Sequence, residues 1–217
     1  MSQYRKLYIV GAGGFGREVL WLAERMNKQN EIWDIQGFID DDQNTHGQEL
    51  NGKKVLGGCT YLENLTEDVY VICAIGSAKT KKCVVDKLSK INGIHFATLV
   101  DPSVMMSDYV QIGEGSIICA GTILTTNITI GRHVIINLDC TLGHDDVIGD
   151  YVTLYPSVNI SGNVMIDSMS EIGTGSQIIQ GKKIAKNVVV GAGAVVVRDI
   201  KDAGTYIGVP ARKIHIE

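Results

Sequence analysis

The sequence predicts a protein in two parts, a small α/β domain with a parallel sheet over residues 1–97 and a parallel β-helix over residues 98–217. Before residue 97, apolar strands alternate with helical spacing, and from Ile112 to Val196 an aliphatic residue recurs at every sixth position. A third observation agrees with both: 25 glycines against 3 prolines and 6% aromatic residues indicate many tight turns and few bulky rings.

The first part alternates between strands and helices, which is typical of a parallel sheet. Apolar runs mark the strands, and apolar residues at helical spacing mark the helices. The expected elements are a strand at 6–10, a glycine-rich turn at 11–16, a helix at 17–27, strands at 35–39 and 69–75, and a helix near 79–90.

The second part follows a period of six residues. All fifteen positions at this spacing from Ile112 to Val196 are Ile, Leu or Val. This period fits neither an α-helix nor an alternating strand, so it predicts short strands joined by tight turns, with aliphatic side chains filling a narrow prism. Three faces make a coil of eighteen residues, and the periodic stretch therefore covers about five coils.

Composition excludes several classes of protein. A net charge of −4 argues against a nucleic-acid-binding protein. No apolar stretch reaches the roughly 20 residues of a membrane span. The five cysteines are scattered without a CxxC pair, which favours reduced thiols and a cytoplasmic protein. No metal site is expected, because His133 and His144 are eleven residues apart and no third histidine shares their region.

Charge is distributed unevenly along the chain. Residues 1–181 hold 13 cations and 21 anions, a net −8, whereas residues 182–213 hold seven cations and two anions, a net +5. A cationic end of this kind fits either a small phosphate-bearing ligand or a solvated rim.

The glycine-rich turn has the spacing of a dinucleotide-binding fingerprint. Gly11, Gly13 and Gly16 would let the backbone approach a phosphate at a helix N-terminus, and Asp40 ends the second strand where a ribose-binding acid would lie. The motif alone is not specific, and the 97 residues are too few for the doubly wound sheet that NAD requires. We therefore expect a nucleotide held through its phosphates, without redox chemistry.

His144 is the candidate general base. It occupies a corner of the coil rather than an inward aliphatic position, although a plain surface histidine is the simpler alternative. Gly162 lies eighteen residues later, one coil along at the same corner, where a missing side chain would leave a notch beside the imidazole. Asp145 or Asp146 would orient the ring and stabilise its cationic form.

Six segments together resemble the PglD/NeuD family of sugar acetyltransferases from end to end. They are GAGGFGRE at 11–18, FIDD at 38–41, AIGS at 74–77, GHD at 143–145 with Asn137 before it, GAGAVV at 191–196 and IGVPARKI at 207–214. The resemblance implies a nucleotide-binding α/β domain followed by a left-handed parallel β-helix of hexapeptide repeats. It also implies a homotrimer with active sites between subunits and acetyl-CoA along the groove between neighbouring coils.

The resemblance also implies a role for individual residues. His144 would take a proton from the attacking amine or hydroxyl, with Asp145 as its carboxylate partner. Acetyl-CoA would contact Gly162 near the thioester, and Gly191, Ala192, Gly193, Arg212 and Lys213 along its pantetheine and phosphates. The nucleotide-linked sugar would contact Gly13, Gly14, Phe15, Gly16, Asp40, Asp41, Gly76 and Asn137.

Three functions remain open at this point. The first is N-acetylation of a nucleotide-linked amino-dideoxy sugar, the second is O-acetylation of sialic acid or serine, and the third is a non-enzymatic β-helix scaffold. The N-terminal domain favours a nucleotide-bearing acceptor, with its base undetermined. Two positions depart from the family pattern: Phe15 and Thr153 stand where relatives often carry histidine, and both bear on the substrate rather than on the base.

Overall fold

The structure is a computed structural model that describes residues 4–214. The chain divides into two compact units, the first ending at Pro102 and the second beginning at Ser103. The boundary expected from the sequence, after residue 97, lies a few residues earlier.

The first unit contains a six-stranded sheet in the order β3-β4-β2-β1-β5-β6, parallel except for the β3–β4 pair. Every strand and helix expected from the sequence is present within a few residues, whereas the 3-10 turn, β3, β4, α2, β6 and β7 were not expected. The elements are β1 (Arg5–Val10), α1 (Gly14–Gln29), β2 (Trp33–Ile39), a 3-10 turn (Gln43–Thr45), β3 (Glu49–Leu50), β4 (Lys53–Gly57), α2 (Cys59–Glu63), β5 (Val69–Cys73), α3 (Ala78–Leu88), β6 (Ile94–Phe96) and β7 (Leu99–Val100).

The core of this unit lies around the central strand β1. Its last four residues, from Leu7 to Val10, are all buried, as expected of a parallel strand covered on both faces. Helix α1 buries Val19, Leu20, Leu22 and Ala23, the apolar positions whose spacing predicted it.

The second unit is a parallel β-helix with three faces. Strands on one face pair in parallel at an offset of eighteen residues, as in Leu124 with Leu142 and Leu142 with Ile160. The coil predicted from the period of six is therefore confirmed. Its strands are β8 (Met105–Met106), β9 (Gln111–Ile112), β10 (Ile117–Ile118), β11 (Ile123–Leu124), β12 (Thr129–Ile130), β13 (Ile135–Ile136), β14 (Thr141–Leu142), β15 (Val147–Ile148), β16 (Thr153–Leu154), β17 (Asn159–Ile160), β18 (Met165–Ile166), β19 (Glu171–Ile172), β20 (Gln177–Ile178), β21 (Lys183–Ile184), β22 (Val188–Val190), β23 (Val195–Val196), β24 (Gly204–Ile207) and β25 (Arg212–Ile214).

The interior of the coil is filled by two inward rows. Fourteen of the fifteen periodic aliphatic residues are buried, and only Ile112, in the first coil, is half-buried. Four residues after each of them comes a second inward position, which holds small or β-branched side chains such as Ser116, Val152 and Ala194. Asp146 occupies this second row and is fully buried.

The corners of the coil depend on a backbone conformation with positive φ. Every sixth residue from Gly115 to Gly193 has it, and glycine, asparagine and aspartate, which tolerate it best, hold most of these positions. Asp145 is one of them, with φ of 63°. The same repeat that builds the coil therefore fixes the backbone at the candidate base.

Residues 4–214 contain no helix with the length and apolar character required to cross a bilayer.

Candidate active site

The glycine-rich turn joins β1 to α1 through a close backbone contact. A methyl group at Gly16 would lie 1.9 Å from the carbonyl oxygen of Gly11, so no side chain fits at this position. Gly13 precedes the first residue of α1, and a methyl group there would meet no atom within 4 Å. The loop is therefore tight where the helix meets the strand and open at Gly13, where the helix N-terminus begins.

A cavity of about 360 Å³ lies at the carboxyl ends of β1, β2 and β5. The carboxyl ends of parallel strands are where ligands bind in open α/β sheets. The predicted residues Gly13, Asp40 and Asp41 line it, whereas Gly14, Phe15, Gly16 and Gly76 are not part of the lining within residues 4–214. The full lining is Val10, Gly11, Gly13, Ile39, Asp40, Asp41, Cys59, Ala74, Ile75, Thr80 and Val84.

The two aspartates after β2 organise the loops around this cavity. Asp40 Oδ2 accepts a hydrogen bond from the backbone N–H of Ala12 at 2.8 Å, which ties β2 to the glycine-rich turn. Asp41 Oδ1 accepts from the N–H of Cys59, also at 2.8 Å, and this bond holds the pKa of Asp41 below its ordinary value. The sequence did not indicate Cys59, whose backbone N–H lies at the start of α2.

His144 and Asp145 form a hydrogen-bonded pair at the corner between β14 and β15. His144 Nδ1 lies 2.8 Å from Asp145 Oδ2, and both side chains are about half exposed, at 54% and 53%. Asp145 Oδ1 also accepts from Asn127 Nδ2 at 3.3 Å. The bonds from His144 and then Asn127 lower the pKa of Asp145, so the carboxylate is the stable form beside the ring. With Nδ1 engaged by the carboxylate, Nε2 is the ring nitrogen on the side of Gly162.

Gly162 lies directly against the imidazole, as its eighteen-residue offset predicted. A methyl group at Gly162 would lie 2.5 Å from His144 Nε2 and 2.7 Å from Cε1. The Asn163 N–H donates to the His144 carbonyl at 2.7 Å, which ties the two corners together. The ring therefore occupies space that only a glycine leaves open.

Asp146 points into the coil rather than toward the histidine. Its Oδ1 accepts from the Val164 N–H at 2.8 Å, and its Oδ2 is buried with no hydrogen-bond partner among residues 4–214. Burial raises the pKa of Asp146 to about 7. The structure thus selects Asp145 as the partner of His144. The period alone could have placed Asp146 inside, because it stands four residues after Leu142.

The cationic end of the chain folds back on the last coil. Gly191 N–H donates to the Tyr206 carbonyl, and Ala211 N–H to the Val195 carbonyl, both at 2.8 Å. Because β25 runs antiparallel to β24, Ala211 lies against Val195, directly after the turn that contains the exposed Ala192 and Gly193, and the exposed Arg212 and Lys213 follow Ala211 in β25. The predicted contacts of a phosphate-bearing ligand therefore lie in neighbouring parts of the last coil.

Two further sequence positions are buried. Asn137 follows β13, and its Oδ1 accepts from the Leu138 N–H at 2.7 Å. Thr153 lies in β16 and is 1% exposed.

No group of three His, Cys, Asp or Glu side chains that could hold a metal ion is found within residues 4–214.

A hexapeptide β-helix with a histidine–carboxylate pair beside a glycine, preceded by an α/β domain with a cavity, is the arrangement expected of an acyltransferase of the hexapeptide-repeat class. Residues 6–88 match the family model of the PglD N-terminal domain. The chain is 31% identical over 185 residues to the GDP-perosamine N-acetyltransferase of Escherichia coli O157:H7, covering 85% of this chain and 82% of that protein. The chain belongs to the PglD/NeuD family of sugar acetyltransferases, as its motifs predicted.

Solved structures agree over almost the whole chain. PerB of Caulobacter crescentus, in complex with CoA and GDP-perosamine, superposes with a TM-score of 0.88 at 27% identity and covers 97% of both chains. The acetyltransferase domain of PglB from Neisseria gonorrhoeae FA1090, in complex with acetyl coenzyme A, superposes with a TM-score of 0.87 at 30% identity. That match covers 97% of this chain and 100% of the PglB domain.

Replacing Asp145 by asparagine tests the carboxylate of the pair. The amide oxygen still accepts a hydrogen bond, but it no longer supplies the negative charge that stabilises a protonated imidazole. We expect kcat to fall roughly ten- to a hundredfold with little change in KM for either substrate. Steady-state kinetics would measure this, with Asn127→Ala as the matched control that removes the weaker bond to the same carboxylate. An Asp145→Asn variant with the kcat of the wild type would contradict the role of the charge.

Proposed function

We propose that the protein transfers the acetyl group of acetyl-CoA to the amino group of a nucleotide-linked amino-dideoxy sugar, with His144 as the general base. The observation that carries the proposal is the His144–Asp145 pair set against Gly162. Two solved complexes support the choice of substrates: PerB holds CoA and GDP-perosamine, and the PglB domain holds acetyl coenzyme A.

The chemical step follows from the position of the imidazole. An amino sugar is largely an ammonium ion near neutral pH, so it first releases one proton to solvent to become a nucleophilic amine. His144 Nε2 accepts the second proton from the amine nitrogen as that nitrogen forms a bond to the thioester carbonyl carbon. Asp145 stabilises the resulting imidazolium through Nδ1. The C–S bond then breaks, and the proton passes to the departing thiolate.

Acetyl-CoA supplies the activated acyl group as a co-substrate, and the chain offers a matching surface for its phosphates. Arg212 and Lys213 are exposed cations that follow Ala211, which is bonded to Val195, and no atom lies within 4 Å of a methyl group placed at Gly193 in the preceding turn. We assign pantetheine and phosphate contacts to this turn and backbone contact near the thioester to Gly162.

The nucleotide half of the acceptor fits the cavity at Gly13, Asp40 and Asp41. The open backbone at Gly13 and the N-terminus of α1 suit phosphate oxygens. We therefore assign the cavity to the nucleotide. We also propose that Gly14, Phe15, Gly16, Gly76 and Asn137 contact the same substrate or support the residues that do.

We also propose that the protein is a homotrimer with sites between subunits. Exposed apolar side chains on the outside of the coil support this, because Val147 and Met165 stack on one face with 39% and 45% of their surfaces exposed. Light scattering should give three times the mass of the chain, and a monomer would contradict the proposal.

An acceptor panel tests the function. The protein is incubated with acetyl-CoA and, separately, with GDP-, UDP- and dTDP-linked amino-dideoxy sugars, sialic acid and serine, and the products are read by mass spectrometry. We expect acetylation of a nucleotide-linked amino sugar at nitrogen. Acetylation of only sialic acid or serine would favour an O-acetyltransferase. No release of free CoA with any acceptor would favour a scaffold, and both outcomes would overturn the proposal.

A further inference from the structure

Two serines in the second inward row share one pattern of hydrogen bonds. Ser116 Oγ accepts from the N–H of Val134, eighteen residues on, and donates to the carbonyl of Gly131, fifteen residues on, both at 3.0 Å. Ser170 repeats the pattern with the Val188 N–H at 3.1 Å and the Ala185 carbonyl at 3.0 Å. Each hydroxyl thus bridges two backbone groups of the next coil.

Asp146 makes half of this pattern. Its Oδ1 accepts from Val164, again eighteen residues on, at 2.8 Å. The carbonyl fifteen residues on belongs to Ser161, and the buried Oδ2 of Asp146 has no partner within residues 4–214. A carboxylate has no proton for a carbonyl, whereas a neutral carboxyl group donates one and completes both bonds. The pKa of about 7, raised by burial, makes the neutral form the major one below pH 7.

The two backbone groups in question flank Gly162. Ser161 precedes it and Val164 follows it by two residues, so a bridge from Asp146 holds the segment that lies against His144. We propose that Asp146 is a positioning residue for acetyl transfer, whose neutral carboxyl group bridges Ser161 and Val164 and thereby holds Gly162 against the His144 imidazole. The inference rests on the proposed role of His144 as base.

Ionisation of Asp146 should release this bridge. The charged groups that act on it are His144 and Asp145 on its own turn. The flanking turns of the neighbouring coils, residues 126–128 and 161–164, carry no titratable side chain. Above pH 7 the proton is lost, the proposed bond from Asp146 to the Ser161 carbonyl is lost with it, and the Gly162 segment is held less firmly. Activity of the wild type is therefore expected to decline on the alkaline side.

Three variants test the proposal through pH profiles of kcat. Asp146→Asn reproduces the neutral acid at every pH, so it should keep kcat near pH 7 and lose the alkaline decline. Asp146→Val places an apolar residue, typical of the row, at this position and removes both bonds. Because Gly162 is then no longer held against His144, kcat should fall roughly ten- to a hundredfold. Ser116→Val removes the equivalent bridge elsewhere in the coil and should leave kcat unchanged.

Two readouts besides activity separate positioning from a general loss of structure. Removing a buried acid of raised pKa while keeping its bonds should raise the thermal midpoint of Asp146→Asn relative to the wild type at pH 8, because the folded wild type must there hold a buried charge. Hydrogen exchange at the Val164 amide should be faster in Asp146→Val and unchanged in Asp146→Asn.

The outcomes also separate this proposal from the role of His144. Wild-type kcat in Asp146→Val, or an Asp146→Asn pH profile identical to that of the wild type, would overturn the positioning role alone. If Asp146→Val fails to fold, the pH profile of kcat in Asp146→Asn, compared with that of the wild type, is sufficient to test the positioning role. An active His144→Ala variant would instead overturn the proposed mechanism.

Discussion

Replacing His144 by alanine is expected to lower kcat by roughly two to four orders of magnitude, the range that a positioned general base contributes. The loss corresponds to about 3–5 kcal/mol of transition-state stabilisation. The thermal midpoint should hardly change, because 54% of the His144 side chain is exposed and the ring fills no part of the coil interior. Release of free CoA in the presence of the acceptor identified by the panel would measure the effect.

The chain offers a matched control for this variant. His95 is also half exposed and also lies near a carboxylate, with Nε2 3.6 Å from Asp68 Oδ2, but it belongs to the first unit. His95→Ala should therefore leave kcat unchanged. Turnover by His144→Ala at the rate of the wild type, or an equal loss in both variants, would contradict the assignment of His144 as base.

The β-helix could be predicted from the sequence because its physical requirement repeats. A narrow prism needs an aliphatic side chain at every sixth position, and that requirement recurs from Ile112 to Val196. The corner geometry at His144 follows from the same register, since Gly162 lies eighteen residues on and its backbone meets the ring. Short elements without a period gave no such signal: β3 has two residues and α2 has five.

The contacts of individual carboxylates could not be predicted in the same way. Asp145 and Asp146 are neighbours in the sequence. The second inward row accounts for the burial of Asp146, but it does not indicate that Asp145, at a corner position of positive φ, bonds to the imidazole. Asp40 was expected to face a ribose, and the structure shows its Oδ2 bonded to the N–H of Ala12 in the glycine-rich turn. Such choices depend on tertiary contacts that a motif does not contain.

Gly162→Ala is expected to lower kcat by about a hundredfold through a single added methyl group. The methyl carbon would lie 2.5 Å from His144 Nε2, closer than unbonded atoms approach, so the imidazole must move and its bond to Asp145 must break or lengthen. The backbone of Gly162 does not have a positive φ, and alanine therefore adds no backbone strain. The thermal midpoint should stay near that of the wild type, and Gly162→Val should reduce kcat at least as much.

A double-mutant cycle decides whether this loss acts through the ring. In a His144→Ala background the methyl group has no imidazole to displace, so Gly162→Ala should cost far less there than in the wild type. If the methyl group instead blocks the thioester itself, the two losses multiply. If the losses of transition-state stabilisation in the two single variants add up to that of the double variant, Gly162 acts only by contacting acetyl-CoA. If the double variant loses much less than that sum, Gly162 acts by placing His144.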